Sequence, residues 1–156
     1  MSNFNELANE FLSQKRIAVA GVSRDEKQTA NLIYKAFQNK GYEVFAVNPN
    51  MSAMSAGDPC YPNVQAVPGG VDGMMIVTSP AVTEQVVQDC VAAHVPRVWM
   101  HNNTFGGTSV SDKATAVCRE NNIVVIDGGC PLMFFDIGHK CMKWVLGAMG
   151  RLPQGQ

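Results

Sequence analysis

The feature that most constrains the fold is a short unit near the amino end of the chain. An apolar run of residues 16–20 ends in a turn of small residues that begins with Gly21. Apolar residues then recur at helical spacing over residues 29–39, Gly41 stops the helix, and a second apolar run covers residues 42–47. This order of strand, turn, helix and strand occupies about thirty residues, which is the length of one parallel crossover.

The turn after the first predicted strand, Gly21-Val22-Ser23, could hold a phosphate. Because Gly21 has no Cβ, a ligand can approach the backbone N–H groups closely, and the amino end of the next helix favours negative charge. We expect Gly21→Val to block that approach and to leave the fold largely intact. A turn without a ligand in a parallel sheet would carry the same residues, so this unit alone leaves ligand binding open.

The rest of the chain continues the alternation of strands and helices. We predict further strands at residues 60–61, 71–78, 97–100 and 123–126, and further helices at residues 4–12, 81–93, 111–120 and 140–149. Residues 51–59 and 101–107 lack such periodicity and are predicted loops. The fold class is therefore α/β, a single domain with a doubly wound parallel sheet. Residues 1–14 are its amino-terminal helix and residues 131–156 its helical extension.

Composition and charge exclude several classes of protein. The formal net charge is −1, so attraction to a nucleic acid is not predicted. No apolar run approaches the ~20 residues of a membrane span. The amino end contains Glu6 and Glu10 and lacks the basic start of a secretory signal. The five cysteines are an odd number without the density of a disulfide framework. We therefore expect a reduced, cytoplasmic protein.

Small polar residues follow the predicted strands. The strand ends are Gly21-Val22-Ser23, Asn48-Pro49, Thr78-Ser79-Pro80, His101-Asn102 and Gly128-Gly129-Cys130. In an open α/β sheet all of them meet at the carboxyl edge, where ligands bind. Hydroxyl and amide side chains there suit a ligand that carries phosphates and an adenine.

The dinucleotide fingerprint G-x-G-x-x-G is incomplete in this chain. Ser23 and Glu26 stand at its second and third glycine positions, and Asn48 replaces the acidic residue that would bind a ribose. These three departures argue against NAD. The chain also lacks the pattern G-x-x-x-x-G-K-[ST], so an ATPase phosphate loop is not supported.

Several segments together resemble the small CoA-binding proteins. They are Ala20-Gly21-Val22-Ser23, Gly41-Tyr42-Glu43-Val44, Val47-Asn48-Pro49, Cys60-Tyr61-Pro62, Val71-Asp72 and Val98-Trp99-Met100. That family is Rossmann-like and is similar to the amino-terminal CoA-binding domain of the succinyl-CoA synthetase α subunit. The resemblance covers residues 15–130 and implies a module that binds CoA or acyl-CoA. Ligation by the synthetase uses a phosphorylated histidine in a further domain, so ligase chemistry is not expected here.

The resemblance also implies which residues contact the ligand. Gly21, Val22 and Ser23 would contact the phosphates, and Lys27 or Arg24 would neutralise their charge. Asn48 and Pro49 would contact the adenine or ribose, and Thr78, Ser79 and Pro80 the nucleotide or pantetheine. Met100, His101 and Cys130 would lie at the acyl or thiol end. Residues 51–59 and the segment His101-Asn102-Asn103 depart from the family's pattern, and the carboxyl-terminal extension is longer than in its shortest members.

Cys130 and His101 are the candidates for catalysis. Cys130 follows Gly128-Gly129 at a strand end, where a helix amino end can lower a thiol pKa, and His101 could act as its base. A packed cysteine and a solvated histidine would explain the same sequence. With His139 and Cys141, Cys130 supplies only three ligands at spacings that do not match a zinc site, so no metal is predicted.

Two functions of different classes stay open. The first is a non-catalytic CoA- or acyl-CoA-binding protein, which the incomplete dinucleotide fingerprint favours. The second is a nucleotide-dependent oxidoreductase, or an acyl or thiol transferase, that uses Cys130 and His101. The methionine- and phenylalanine-rich carboxyl-terminal region is typical of a core, but it could also form the contact surface of a homo-oligomer.

Overall fold

A computed structural model describes residues 3–103 and 107–135 of the chain. Its strands are β1 (Arg16–Ala20), β2 (Glu43–Val47), β3 (Cys60–Tyr61), β4 (Gly73–Ile76), β5 (Arg97–Met100), β6 (Asn102–Asn103), β7 (Gly107–Thr108) and β8 (Val124–Asp127). Strands β6 and β7 form a separate antiparallel hairpin. The other six form one sheet in which every neighbouring pair is parallel.

The strand order of the large sheet places its crevice beside β1. The order is β3-β2-β1-β4-β5-β8, so the chain winds from β1 to one edge, returns to β4 on the other side of β1, and winds to the opposite edge. The crossovers after β1 and β4 therefore lead to opposite sides, which opens a crevice at the carboxyl ends of these two strands. The doubly wound parallel sheet predicted from the sequence is confirmed.

Helices cover both faces of the sheet. Helices α1 (Phe4–Leu12), α2 (Thr29–Asn39) and α5 (Leu132–Phe135) pack on one face, and α3 (Pro80–Ala92), α4 (Asp112–Glu120) and a 3-10 turn (Val64–Ala66) pack on the other. Residues of β1 alternate between the two cores: Ile17 belongs to the first and Ala18 to the second, and both are fully buried. A strand buried on both faces needs the continuous apolar run seen in the sequence.

Trp99 on β5 organises the first of these cores. Phe4 and Phe11 of α1 meet its ring edge-on, with centroids 6.0 and 5.4 Å away. Its indole Nε1 donates a 2.8 Å hydrogen bond to the carbonyl oxygen of Gly128, just beyond β8. The amino-terminal helix and the turn after β8 are thereby fastened to the same buried side chain.

Most predicted elements lie within one residue of their predicted bounds, but the strand predicted at residues 71–78 is limited to Gly73–Ile76. The helix at residues 29–39, the strand at residues 97–100 and the short strand at residues 60–61 are confirmed. Residues 101–107, predicted as a loop, contain β6 and the first residue of β7, because these strands consist of small and polar residues that carry no apolar strand pattern. The helix predicted at residues 140–149 lies outside the described residues. Within the described part of the chain, no helix has both the length and the apolar character that a membrane crossing requires.

Gly21 lies where the turn after β1 approaches the end of β4 most closely. Its φ is +101°, and a Cβ at this position would stand 2.7 Å from the carbonyl carbon of Val77 and overlap the carbonyl oxygen. A side chain here would have to displace the backbone at the end of β4. The expectation that Gly21→Val leaves the fold largely intact is therefore wrong.

Gly21→Ala tests this close approach with the smallest side chain. We expect it to lower the free energy of unfolding by more than about 3 kcal/mol, since backbone overlap adds to the cost of a positive φ. Gly41→Ala is the matched control, because Gly41 has a φ of +90° and nothing within 4 Å of an added Cβ. We expect it to cost about 1 kcal/mol. Urea denaturation followed by circular dichroism measures both, and equal losses would contradict the role assigned to the Val77 contact.

Candidate functional site

Two concavities open at the carboxyl edge of the sheet. The edge groove, of about 460 Å³, lies beside the ends of β1 and β2 and the amino half of α3, and its lining includes Gly21, Asn48, Pro49, Thr78, Val82 and Gln85. The switch-point cavity, of about 310 Å³, lies beside the ends of β1 and β4, and its lining includes Gly21, Gln28, Thr29, Thr78, Ser79 and His101. Gly21 and Thr78 line both, so the two concavities adjoin at the crevice of the sheet.

Hydrogen bonds within the protein already engage much of the small-residue turn. The Gly21 amide donates to the Val47 carbonyl at 3.3 Å. The Ser23 amide donates to Asn31 Oδ1 and the Ser23 carbonyl accepts from Asn31 Nδ2, both at 2.8 Å. The turn is therefore anchored to the first helical turns of α2. A phosphate beside it would depend more on the amino end of α2 than on the amides of Gly21 and Ser23.

The side chain of Asn48 holds the two strand ends together. Its Nδ2 donates to the Val22 carbonyl at 2.7 Å, and its Oδ1 accepts from the Asn50 amide at 2.8 Å. An aspartate here would lose the first bond, because a carboxylate cannot donate. Asn48 thus lines the edge groove and also fixes its shape.

The amino end of α2 is open toward the switch-point cavity. The residue before the helix, Gln28, makes no side-chain cap, and the first turn has no acidic residue. Gln28, Thr29 and Ala30 all line the cavity. The backbone N–H groups of a first helical turn lack partners within the helix, and together with the helix dipole they favour an anion.

His101 lines the same cavity from the β5 side. It is 3% exposed, and its Nε2 has no hydrogen-bond partner among the described residues. Its amide donates to the Ile76 carbonyl at 2.9 Å, and its carbonyl accepts from the Ser109 amide at 2.8 Å. Desolvation by burial lowers the pKa of His101 to about 4, so the free ring is neutral at pH 7.

The end of β4 is fixed by hydroxyl groups. The Thr78 amide donates to Ser109 Oγ at 2.9 Å, and the hydroxyls of Thr78 and Thr83 are 2.7 Å apart. Ser109 follows the β6–β7 hairpin, so the hairpin is connected to the wall that the groove and the cavity share. No periodic pattern in the sequence marks Ser109 as a site residue.

Seven of the residues implied as ligand contacts line neither concavity: Val22, Ser23, Arg24, Lys27, Pro80, Met100 and Cys130. Met100 is fully buried in the second core, where the Thr115 hydroxyl lies 3.8 Å from its sulfur, so its side chain is not exposed at the strand end. Val22 is 1% exposed in the first core. Ser23 and Pro80 are outside both linings, and Pro80 is the first residue of α3. Lys27 lies on a separate groove between α2 and residues 51–59.

Cys130 does not have the environment of a reactive thiol. It is 3% exposed and belongs to the apolar cluster that contains Trp99 and Met133. Burial raises the pKa of its thiol to about 11, whereas the sequence suggested a lowered value. With His101 neutral and poorly basic, the pair lacks both a thiolate and an effective base. Within the described residues, no group of three or more potential metal ligands is present.

Comparison with known proteins identifies the family. A model of the CoA-binding domain family matches residues 15–136, and the chain belongs to that family. The resemblance drawn from the sequence is confirmed.

Individual relatives agree with this assignment. An ADP-forming acetate–CoA ligase I of Archaeoglobus fulgidus is 37% identical over 76 residues, which are 49% of this chain and 11% of the ligase. A hypothetical protein of Pyrococcus horikoshii OT3 has the same fold, with a TM-score of 0.72 and 24% identity over 80% of this chain and 84% of its own. The apo form of dinucleotide-forming acetyl-coenzyme A synthetase 1 from Ca. Korarchaeum cryptofilum matches with a TM-score of 0.61 and 25% identity, over 71% of this chain and 25% of that one. The chain thus spans only a small part of either CoA enzyme.

The buried histidine predicts a specific dependence of stability on pH. An ordinary histidine pKa is 6.5, and that of His101 is about 4 in the folded protein. Between these values the unfolded chain binds more protons, so stability falls as the pH drops from 6.5 to 4 and is constant with respect to His101 above 6.5. The expected loss is roughly 3 kcal/mol.

His101→Leu is the variant that isolates this effect. Leucine is similar in size and does not titrate, so the difference in unfolding free energy between variant and wild type should change over this pH range and nowhere else. Urea titrations at half-unit intervals of pH measure it. A difference that is independent of pH would contradict the assignment of a depressed pKa to His101.

Proposed function

We propose that the protein binds CoA or an acyl-CoA along the edge groove and into the switch-point cavity. The observation that carries this proposal is the adjoining pair of concavities at the crevice of the sheet, which share Gly21 and Thr78. A CoA molecule has an adenosine end and a diphosphate. The edge groove has apolar walls that suit the adenosine, and the switch-point cavity has hydrogen-bonding groups that suit the diphosphate. Membership of the CoA-binding domain family supports the choice of ligand.

The edge groove suits the adenosine end. Val82 and Val86 of α3 line it together with Pro49, and Gln85 and Asn63 offer amide groups. Apolar walls with a few polar groups are typical of sites for a flat heterocycle. The polar ends of β1 and β4 then lead from this groove to the amino end of α2, where the diphosphate would lie.

The positively charged side chains near the proposed site lie outside the cavity, so they would attract a phosphate from the solvent side. The side chains of Arg24 and Lys27 are exposed on the segment before α2 and would approach the phosphates from solvent. Asp89 also lines the groove, and its carboxylate could accept a hydrogen bond from an adenine amino group. We propose binding rather than catalysis, because Cys130 and His101 lack the ionisation states that a thiol reaction needs.

The relatives that carry CoA in their names support the same ligand. Both the acetate–CoA ligase and the acetyl-coenzyme A synthetase are much longer than this chain. The chain matches 11% of the ligase and 25% of the synthetase. We propose that the shared property is the binding of CoA and not the ligation step.

Val82→Glu tests the edge groove. Val82 is 49% exposed, so the substitution should cost little stability, yet it places a carboxylate beside the proposed adenosine site. We expect the affinity for CoA to fall about tenfold or more in isothermal titration calorimetry. Leu32→Glu is the matched control, because Leu32 is also 49% exposed but lies on α2, outside both concavities.

The control variant should bind CoA as the wild type does, and NAD should bind to none of the three proteins. Equal affinity of the Val82→Glu variant and the wild type would remove the edge groove from the proposal. Absence of any CoA binding to the wild type would overturn the proposed function itself.

A further inference from the structure

The switch-point cavity combines hydrogen-bond donors with a lining that, among the described residues, carries no negative charge. Helix α2 has 11 residues, and its amino end is not capped by a side chain. Its first residues line the cavity, and no aspartate or glutamate side chain among the described residues lines it. The helix end alone would favour an anion.

His101 supplies a second and independent observation. The residue lines this cavity, and its side chain is almost wholly buried, with Nε2 lacking a partner among the described residues. A buried polar group without a hydrogen bond destabilises the folded protein. Native structures retain few such groups, and an ion or a ligand is one of the partners that explain them. The backbone bonds to Ile76 and Ser109 keep the ring in place.

We propose that the switch-point cavity is an oxyanion site in which His101 Nε2 donates a hydrogen bond to a phosphate oxygen that the amino end of α2 also binds. A phosphate oxygen accepts from both kinds of donor at once, and either form of imidazole that carries a proton on Nε2 can donate to it. The inference deepens the proposed function, on which it rests for the source of the phosphate. The diphosphate of CoA is that source in our proposal, and free inorganic phosphate presents the same oxygens.

Binding of an oxyanion at His101 should be coupled to the uptake of a proton. Negative charge beside the ring favours imidazolium over the neutral form, and so opposes the desolvation that depresses the pKa in the free protein. No other ionisable side chain among the described residues lines the cavity. Those on the elements around it are residues 24–27 before α2, Glu84 on α3, Asp127 on β8 and Cys130 after β8.

The first experiment is calorimetry on His101→Leu with CoA as the ligand. The variant loses an unpaired buried nitrogen and keeps the volume, so it should fold at least as stably as the wild type at pH 7. We expect it to bind CoA about tenfold or more weakly. His101→Gln, which keeps a donor, should recover part of the affinity. The affinity of the wild type should rise between pH 7 and pH 5 relative to that of the leucine variant, whose profile reports the titration of CoA alone.

The second experiment follows the histidine rings of the wild type by ¹H–¹⁵N NMR during titration with CoA and, separately, with inorganic phosphate. We expect the ring of His101 to shift and its pKa to rise on binding. His94 lies outside both concavities and should not respond.

The outcomes separate the two sources and the two proposals. A response of His101 to both ligands, or to CoA alone, supports the inference and names the source. A response to phosphate in a protein that does not bind CoA supports the inference and overturns the proposed function. Tight CoA binding with an unchanged His101 ring and an unaffected leucine variant overturns the inference and leaves the proposed function. No response of His101 to either ligand also overturns the inference.

Discussion

The close approach of Gly21 to the Val77 carbonyl is the constraint on which the rest of the site depends. It brings the turn after β1 directly against the end of β4, at the point where the chain reverses its direction of winding. A side chain at Gly21 would separate these strand ends and fill the space that the edge groove and the switch-point cavity share. One residue without a Cβ therefore shapes both the sheet and the proposed ligand site.

Around this contact, the structure fixes each wall of the site by hydrogen bonds that leave the cavity itself open. Asn48 ties the end of β2 to the turn, Asn31 ties the turn to α2, and Ser109 ties the hairpin to Thr78. Each of these side chains satisfies backbone groups that would otherwise be exposed at strand ends. A ligand would thus enter a preformed site and lose less entropy on binding than one that must order loops.

The sequence predicts the fold far better than it predicts the site, because helices and strands leave patterns over many residues whereas the site depends on single residues at strand ends. Helix α2 and strand β5 extend over several residues whose apolar periodicity records their buried faces. At a strand end, by contrast, a difference of one residue reverses the face, so Met100 enters the second core whereas His101 lines the cavity. Ser109 and Gln28 belong to segments without any period, and only the folded chain shows that they line the site.

His101 shows most clearly how stability and binding oppose each other in this chain. The remainder of the described core is locally consistent: apolar residues are buried, and Trp99, its largest polar-tipped side chain, has its N–H paired. The unpaired Nε2 is the exception, and such exceptions to local consistency concentrate where function requires them. Leucine would remove the penalty of burying that nitrogen, but it would also remove the donor on the β5 side of the cavity. The uncapped end of α2 presents the same balance, since a capping side chain would stabilise the helix by filling the position that an anion can occupy. Two incomplete hydrogen-bonding groups that line one cavity are more economically explained by a shared oxyanion than by two separate defects.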